Sequence, residues 1–188
     1  LMISLPINET AGGTLNADNR RHLRVIARKI WRFFETFVDK SHHFLPPDNY
    51  QEIPEPVIAR RTSPTNIGLY LLSVLSARDF GWIGVTDTVE RLEATLATVK
   101  KMTKHHGHLV NRYDTKELRP LEARYVSTVD SGNLAGHLWT VAHACLQMDR
   151  APLSMTDVFD GFTDTLFLVA EAASKAGTES RTETVTGA

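Results

Sequence analysis

Apolar residues recur along the chain at intervals of three and four, and period-two alternation is hard to find over any useful length. The pattern predicts an all-α chain of five helices. The first covers about residues 18–38, with Leu23, Ile26, Ala27, Ile30, Phe33, Phe34 and Phe37 on one stripe and Arg20, Arg21, Arg24, Arg28 and Arg32 off it. The second follows Ser63, a natural N-cap, with Pro64 at the first helical position, and stops at Gly81. Its run Ile67-Gly-Leu-Tyr-Leu-Leu-Ser-Val-Leu75 is apolar on nearly every side and is expected to be buried all round. The third starts at Thr86 or Asp87, carries Val89, Leu92, Leu96 and Val99 against Arg91, Glu93, Lys100 and Lys101, and stops at Gly107. The fourth opens at Asp130 and runs to Met148, small and apolar on most faces, a second buried helix. The fifth starts at Ser154, with Asp157 three residues on, and has one apolar side through Val158, Phe162, Leu166, Val169 and Ala170.

Three regions result: an irregular N-terminus at 1–16, a helical-hairpin domain at 17–173, and a tail at 174–188 rich in Thr, Ser, Glu and Gly that is expected to be disordered. Half-wet and fully apolar helices alternate, and so do long and short connections. The long ones, 39–63 and 107–130, are about two dozen residues each, a length that in compact domains marks function or disorder. Helices joined by short loops run antiparallel, which places both long connections on one rim at the N-terminal ends of the two apolar helices. Ser63-Pro-Thr-Asn-Ile-Gly-Leu69 aligns with Asp130-Ser-Gly-Asn-Leu-Ala-Gly136, making Asn66 and Asn133 equivalent. Such hairpins suit a double-layered helical toroid, although ordinary helix-start chemistry explains the echo equally well.

Composition narrows the function classes. Among 188 residues, 21 basic and 22 acidic ones give a net charge of -1 with no block of one sign, which argues against a nucleic-acid or anionic-lipid partner. No apolar run approaches a membrane span, and the first residues lack the basic start and apolar core of a signal peptide, so no direct membrane insertion is expected. The single cysteine, Cys145, fits a reducing compartment and is assigned to packing.

The long connections carry the candidate chemistry. Asp48, Asn49, Tyr50, Glu52, Arg60 and Arg61 belong to the first, and Asn111, Tyr113, Asp114 and Asp130 to the second. Carboxylates, amides and arginines beside aromatic rings suit a polyhydroxylated ligand. Structural alternatives stand beside this reading: Ser63 and Asp130 as helix caps, Asp48-Asn49 as a turn, and Arg60 or Arg61 as a partner for Glu52 or Asp114. His42-His43 and His105-His106-Gly-His108 match no strong zinc spacing and are assigned to a loop and a helix C-terminus; no metal and no cofactor is expected. His137 and His143 are expected to be satisfied core residues. With no phosphate loop and no Gly-x-Ser-x-Gly elbow, kinase, Rossmann and serine-hydrolase classes fall away.

Six segments resemble, in order, the central region of cyclic β-1,2-glucan synthases: Leu45-Pro-Pro-Asp-Asn-Tyr-Gln-Glu52, Arg61-Thr-Ser-Pro-Thr-Asn-Ile-Gly-Leu-Tyr70, Ala77-Arg-Asp-Phe-Gly-Trp-Ile83, Arg91-Leu-Glu-Ala-Thr-Leu96, Tyr113-Asp-Thr115 and Tyr125-Val-Ser-Thr-Val-Asp-Ser-Gly-Asn-Leu-Ala-Gly-His137. The likeness covers about residues 30–148. It implies the opening part of a glycoamylase-like (α/α)6 barrel that closes glucan rings by transglycosylation, in a cytoplasmic segment of a large inner-membrane protein. It implies β-1,2-glucan and the rest of the synthase polypeptide as partners. Asp48, Asn49, Arg61, Asn66, Tyr113, Asp114 and Asn133 then line the glucan cleft. Arg112 stands where the resemblance leads one to expect an aromatic, so a sugar-stacking face is lost or weakened there. Ring closure with retention needs two carboxyl groups ~5 Å apart, and the resemblance puts those glutamates downstream. The isolated chain is therefore expected to be inactive alone, with a stand-alone carbohydrate-binding or protein-interaction module as the alternative.

Overall fold

The computed structural model describes residues 15–148, 150 and 152–186, with side chains described as far as 174. Five α-helices carry the fold: α1 (Ala17–Phe37), α2 (Pro64–Asp79), α3 (Val85–Lys101), α4 (Thr128–Met148) and α5 (Met155–Thr186). The expected all-α class holds. Three antiparallel pairs of two-residue strands tie the connections: β1 (Tyr50–Gln51) with β2 (Val57–Ile58), β3 (Arg61–Thr62) with β6 (Tyr113–Asp114), and β4 (Lys104–His105) with β5 (His108–Leu109). Strands this short leave no alternating pattern to read. Most of the irregular N-terminus expected at 1–16 lies outside the described residues. The backbone of α5 continues through Thr186, past the boundary expected at residue 174.

Local chemistry sets the helix ends. The Ser63 side chain accepts from the Asn66 N–H at 3.1 Å, with Pro64 next in line. Ser154 and Asp157 form a reciprocal box at the start of α5. At α3 the expected end at Gly107 is corrected to Lys101. There the Lys104 ammonium donates to the Val99, Lys100 and Met102 carbonyls, occupying acceptors that the last turn leaves free. The chain then reverses through His106 and Gly107, both at positive φ (49° and 84°), into the β4–β5 hairpin. His105, His106 and His108 thus sit on a hairpin and not at a helix C-terminus.

The core forms around α2. Ile67, Tyr70, Leu71, Val74 and Leu75 are buried there, joined by Trp31 from α1, Leu92 from α3, and Leu45, Leu109, Val110 and Tyr113 from the long connections. A β-carbon at Gly68 would stand 2.1 Å from His137 Nδ1, so the missing side chain lets α4 close onto α2. That Nδ1 is buried without a partner among the described residues, while His143 is exposed and faces the Trp139 carbonyl at 3.0 Å. Neither is the satisfied core histidine expected.

Four faces differ from the sequence pattern. In α5 the side read as apolar, with Val158, Phe162, Leu166, Val169 and Ala170, is exposed, and Gly161 and Asp164 are buried against α1 and the end of α2 instead. In α1, Leu23, Ile26 and Ile30 are exposed, whereas Arg28 and Trp31 are buried. Arg24 and Arg28 cross to α5, Arg24 to Asp164 and Arg28 to Thr165, so part of the supposed wet face is the packed one. In α3 the buried positions are Thr88, Leu92, Thr95 and Thr98, and Val89 is exposed. Thr95 and Thr98 donate to the carbonyls of Phe44 and His43 at 2.9 and 2.8 Å, pinning the first long connection to the helix. In α4 only Val141 is buried; Trp139 is 71% exposed, and Cys145 is exposed and not packed. The apolar sequence of α4 exceeds what the described residues cover.

Candidate functional site

The two long connections meet at the N-terminal ends of α2 and α4. The β3–β6 pair sets Arg61 opposite Asp114 and Thr62 opposite Tyr113, and the Thr115 N–H and hydroxyl both donate to the Arg60 carbonyl at 3.1 Å. The start of α4 mirrors the start of α2. Ser127 Oγ accepts from the Asp130 N–H at 3.1 Å, as Ser63 Oγ does from Asn66. Ser127, not Asp130, is therefore the cap, and Asp130 is the positional counterpart of Asn66. The aligned echo pairs Asn133 with Asn66 instead, three residues out of step with these caps.

Two side-chain networks result. Asp48 accepts from Arg61 at 2.9 Å (Nε) and 2.7 Å (Nη2) through one oxygen, and from Asn66 Nδ2 at 3.1 Å through the other. Arg61 thus pairs with Asp48 and not with Glu52 or Asp114. Across the rim, Thr65 donates to Asp130 at 2.5 Å and accepts from Asn133 Nδ2 at 3.2 Å. Between them lies a cavity of about 190 Å3, lined in part by Asp48, Arg61, Arg112, Tyr125 and Asp130. Two carboxylates and two guanidiniums leave the lining without formal net charge. Thr62 also lines this cavity, and its buried Oγ1 has no partner among the described residues.

Not every expected site residue converges. Asn49 is exposed and extends the β1–β2 pair at its open end through its carbonyl, which accepts from the Ala59 N–H at 3.0 Å. Tyr113 is fully buried: its hydroxyl donates to the Thr103 carbonyl at 2.6 Å and accepts from the Val110 N–H at 2.8 Å. Burial raises its phenol above the ordinary value of 10.0, opposed by the Val110 bond, as suits an internal brace. Asp114 caps a turn, accepting from the N–H groups of Lys116 and Glu117 at 2.8 Å. Tyr113 and Asp114 hold the second connection in shape and stand apart from the cavity lining. Thr65, Ser127 and Tyr125 were not singled out by sequence reasoning. The repeated Ser-x-x-polar start shared by 63–66 and 127–130 is the signal that finds Ser127.

Among the described residues no three His, Cys, Asp or Glu side chains converge. No described helix is long and apolar enough to cross a membrane.

Residues 25–147 match the family described as protein of unknown function (DUF3131), and the chain belongs to it. The chain is also similar to the cyclic beta-(1,2)-glucan synthase NdvB of Rhizobium meliloti (strain 1021), with 53% identity over 161 residues, 85% of this chain. The chain spans 6% of that relative's length. The resemblance carried by the six rim and helix segments is matched at this level of identity.

Proposed function

We propose that the chain is a segment of a cyclic β-1,2-glucan synthase and supplies the sugar-binding rim of its glucan-cyclising barrel. The observation that carries this reading is that Asp48, held between Arg61 and Asn66, and Asp130, bonded by Thr65, line one cavity without net charge. Acceptors and donors fixed in advance around such a space suit the hydroxyls of a neutral polysaccharide and lower the ordering cost of binding. The exposed apolar residues of α4, Trp139 and Leu146 among them, suit contact with further helices of the longer polypeptide, its other partner.

In this reading the segment binds β-1,2-glucan and performs no ring closure by itself, because the rim offers no carboxyl pair dedicated to that chemistry: Asp48 is committed to Arg61 and Asn66, and Asp130 to Thr65. Calorimetry with linear β-1,2-glucan tests it. Saturable binding that is lost in Asp48→Ala with the helical signal intact is expected. No heat at millimolar sugar removes the binding role, and cyclic product formed by the purified chain removes the claim of inactivity. Tryptophan fluorescence is the poorer probe, since Trp139 sits on the outer face of α4 and the Trp82 indole is bonded to Asp164.

A further inference from the structure

Tyr125 differs from the other tyrosines of the chain. Tyr70 and Tyr113 are fully buried, and Tyr50 packs against Phe37 with the rings tilted by 42° and their centroids 4.9 Å apart. Tyr125 is 58% exposed, and among the described residues no ring stacks on it and nothing bonds its hydroxyl. Its backbone is nevertheless fixed. The Tyr125 N–H donates to Asn111 Oδ1 at 3.2 Å, and its carbonyl accepts from the Asn111 N–H at 2.9 Å, with Asn111 itself buried. A ring on a pinned backbone with its surface left bare costs little ordering when a ligand covers it.

Position adds a second observation. Tyr125 is a wall common to two cavities, the polar one of about 190 Å3 and a neighbour of about 400 Å3 lined by Val110, Pro120 and Val126 on one hand and by Lys104, His105 and Arg124 on the other. It is the one Tyr, Trp or Phe described in either lining. The first cavity falls below the ~300–1,000 Å3 usual for a whole ligand, its neighbour lies within that range, and the two together give room for more than one sugar unit. Arg112 gives the polar cavity a second guanidinium and no aromatic face.

Resting on the glucan-binding reading above, we propose that Tyr125 is the stacking platform between two contiguous sugar subsites. Its ring covers the apolar face of one glucose unit while that unit's hydroxyls meet Asp48, Arg61 and Arg112. The next unit runs on into the larger, more apolar cavity.

Binding of β-1,2-linked glucose di-, tri- and tetrasaccharides to the full chain, followed by calorimetry or NMR, is the test. Tyr125→Ala is expected to weaken the trisaccharide about tenfold, and Tyr125→Phe and Tyr125→Trp to stay within about twofold of the unaltered chain. Circular dichroism and the thermal midpoint should be unmoved in all three, because the side chain is mostly exposed. Unchanged affinity in Tyr125→Ala overturns the platform and leaves glucan binding standing. Equal loss in Tyr125→Phe also overturns it, by assigning the contact to the hydroxyl. If the unaltered chain binds none of the sugars, the reading beneath fails and the platform with it.

Discussion

Gly161 of α5 lies against the backbone of Gly81, so close that a β-carbon at 161 would stand 2.3 Å from the Gly81 carbonyl oxygen. Gly81 has φ +76° and is equally hemmed in, with the Asp157 carbonyl 2.0 Å from where its own β-carbon would be. These two glycines set how α5 docks beside the turn after α2. Gly161→Ala is expected to cost ~1–3 kcal/mol by overpacking, read as a lower denaturant midpoint. Gly132→Ala in α4, where an added β-carbon meets nothing within 4 Å, should instead gain ~0.5–1 kcal/mol of helix stability. If the two variants behave alike, the close approach of α5 is wrong.

The same docking depends on Asp164, 4% exposed, which accepts from the Trp82 indole at 2.9 Å and from Arg24 Nε and Nη2 at 3.0 and 2.8 Å. Arg24 also donates to the Phe80 carbonyl at 3.0 Å, joining α1, α5 and the end of α2. Removing the acid leaves a largely covered guanidinium and an indole N–H without an acceptor. Asp164→Ala should therefore destabilise by ~3–5 kcal/mol. In a double-mutant cycle, Arg24→Ala with Asp164→Ala should lose less than the sum of the single changes. Strict additivity would show that the pair does not couple.

Much of this was legible in the sequence because caps and periodicity are local. Ser63-Pro64 announced α2, Ser154 with Asp157 announced α5, and the concentration of Asp48, Arg61 and Asn66 on one rim followed from helix order. What was missed depended on side-chain contacts that periodicity does not show, some of them with partners distant in sequence. The run as far as Gly107 reads as more helix, yet Met102 is buried beside a hairpin that Lys104 helps to start. Arg24 and Arg28 look like a solvated face until Asp164 and Thr165, some 140 residues away, receive them. Tyr113 resembled a sugar-facing aromatic, but the acceptor and donor that bury its hydroxyl lie in its own connection. Composition cannot separate a ring that braces a loop from one that lines a cavity.

At the start of α5, acid sensitivity follows from one carboxyl. Ser154 Oγ donates to Asp157 Oδ2 at 2.7 Å, the Ser154 N–H donates to the same oxygen at 3.2 Å, and Arg24 adds its positive charge. These bonds hold the Asp157 carboxyl below its ordinary value of 3.8. A carboxyl lowered in the folded state contributes stability that is present above the unfolded value and is lost as pH falls from about 3.8 through the folded value. NMR titration of the Asp157 carboxyl should give a midpoint below 3.8, and Ser154→Ala should move it upward. That variant should also flatten the acid-side decline in thermal midpoint. A midpoint that does not respond to Ser154 would break the link between the cap and the titration.

The outer face of α4 makes the sharpest demand on the isolated chain. Trp139, Leu146 and Val129 are each about 70% exposed, although their helix is apolar enough for a core. Large apolar side chains exposed in this way bind hydrophobic dyes and promote association. Trp139 should accordingly be readily quenched by acrylamide, and the chain should bind an anilinonaphthalene dye in its folded state. Replacing Trp139 and Leu146 together by glutamate removes two apolar side chains that make little contact with α2, so the thermal midpoint should shift by no more than about 1 kcal/mol in stability, while dye binding and self-association fall. A large loss of stability would mean that these side chains are packed and that the open face does not exist. Dye binding that survives both substitutions would place the apolar surface elsewhere, on the Phe159 and Phe162 side of α5.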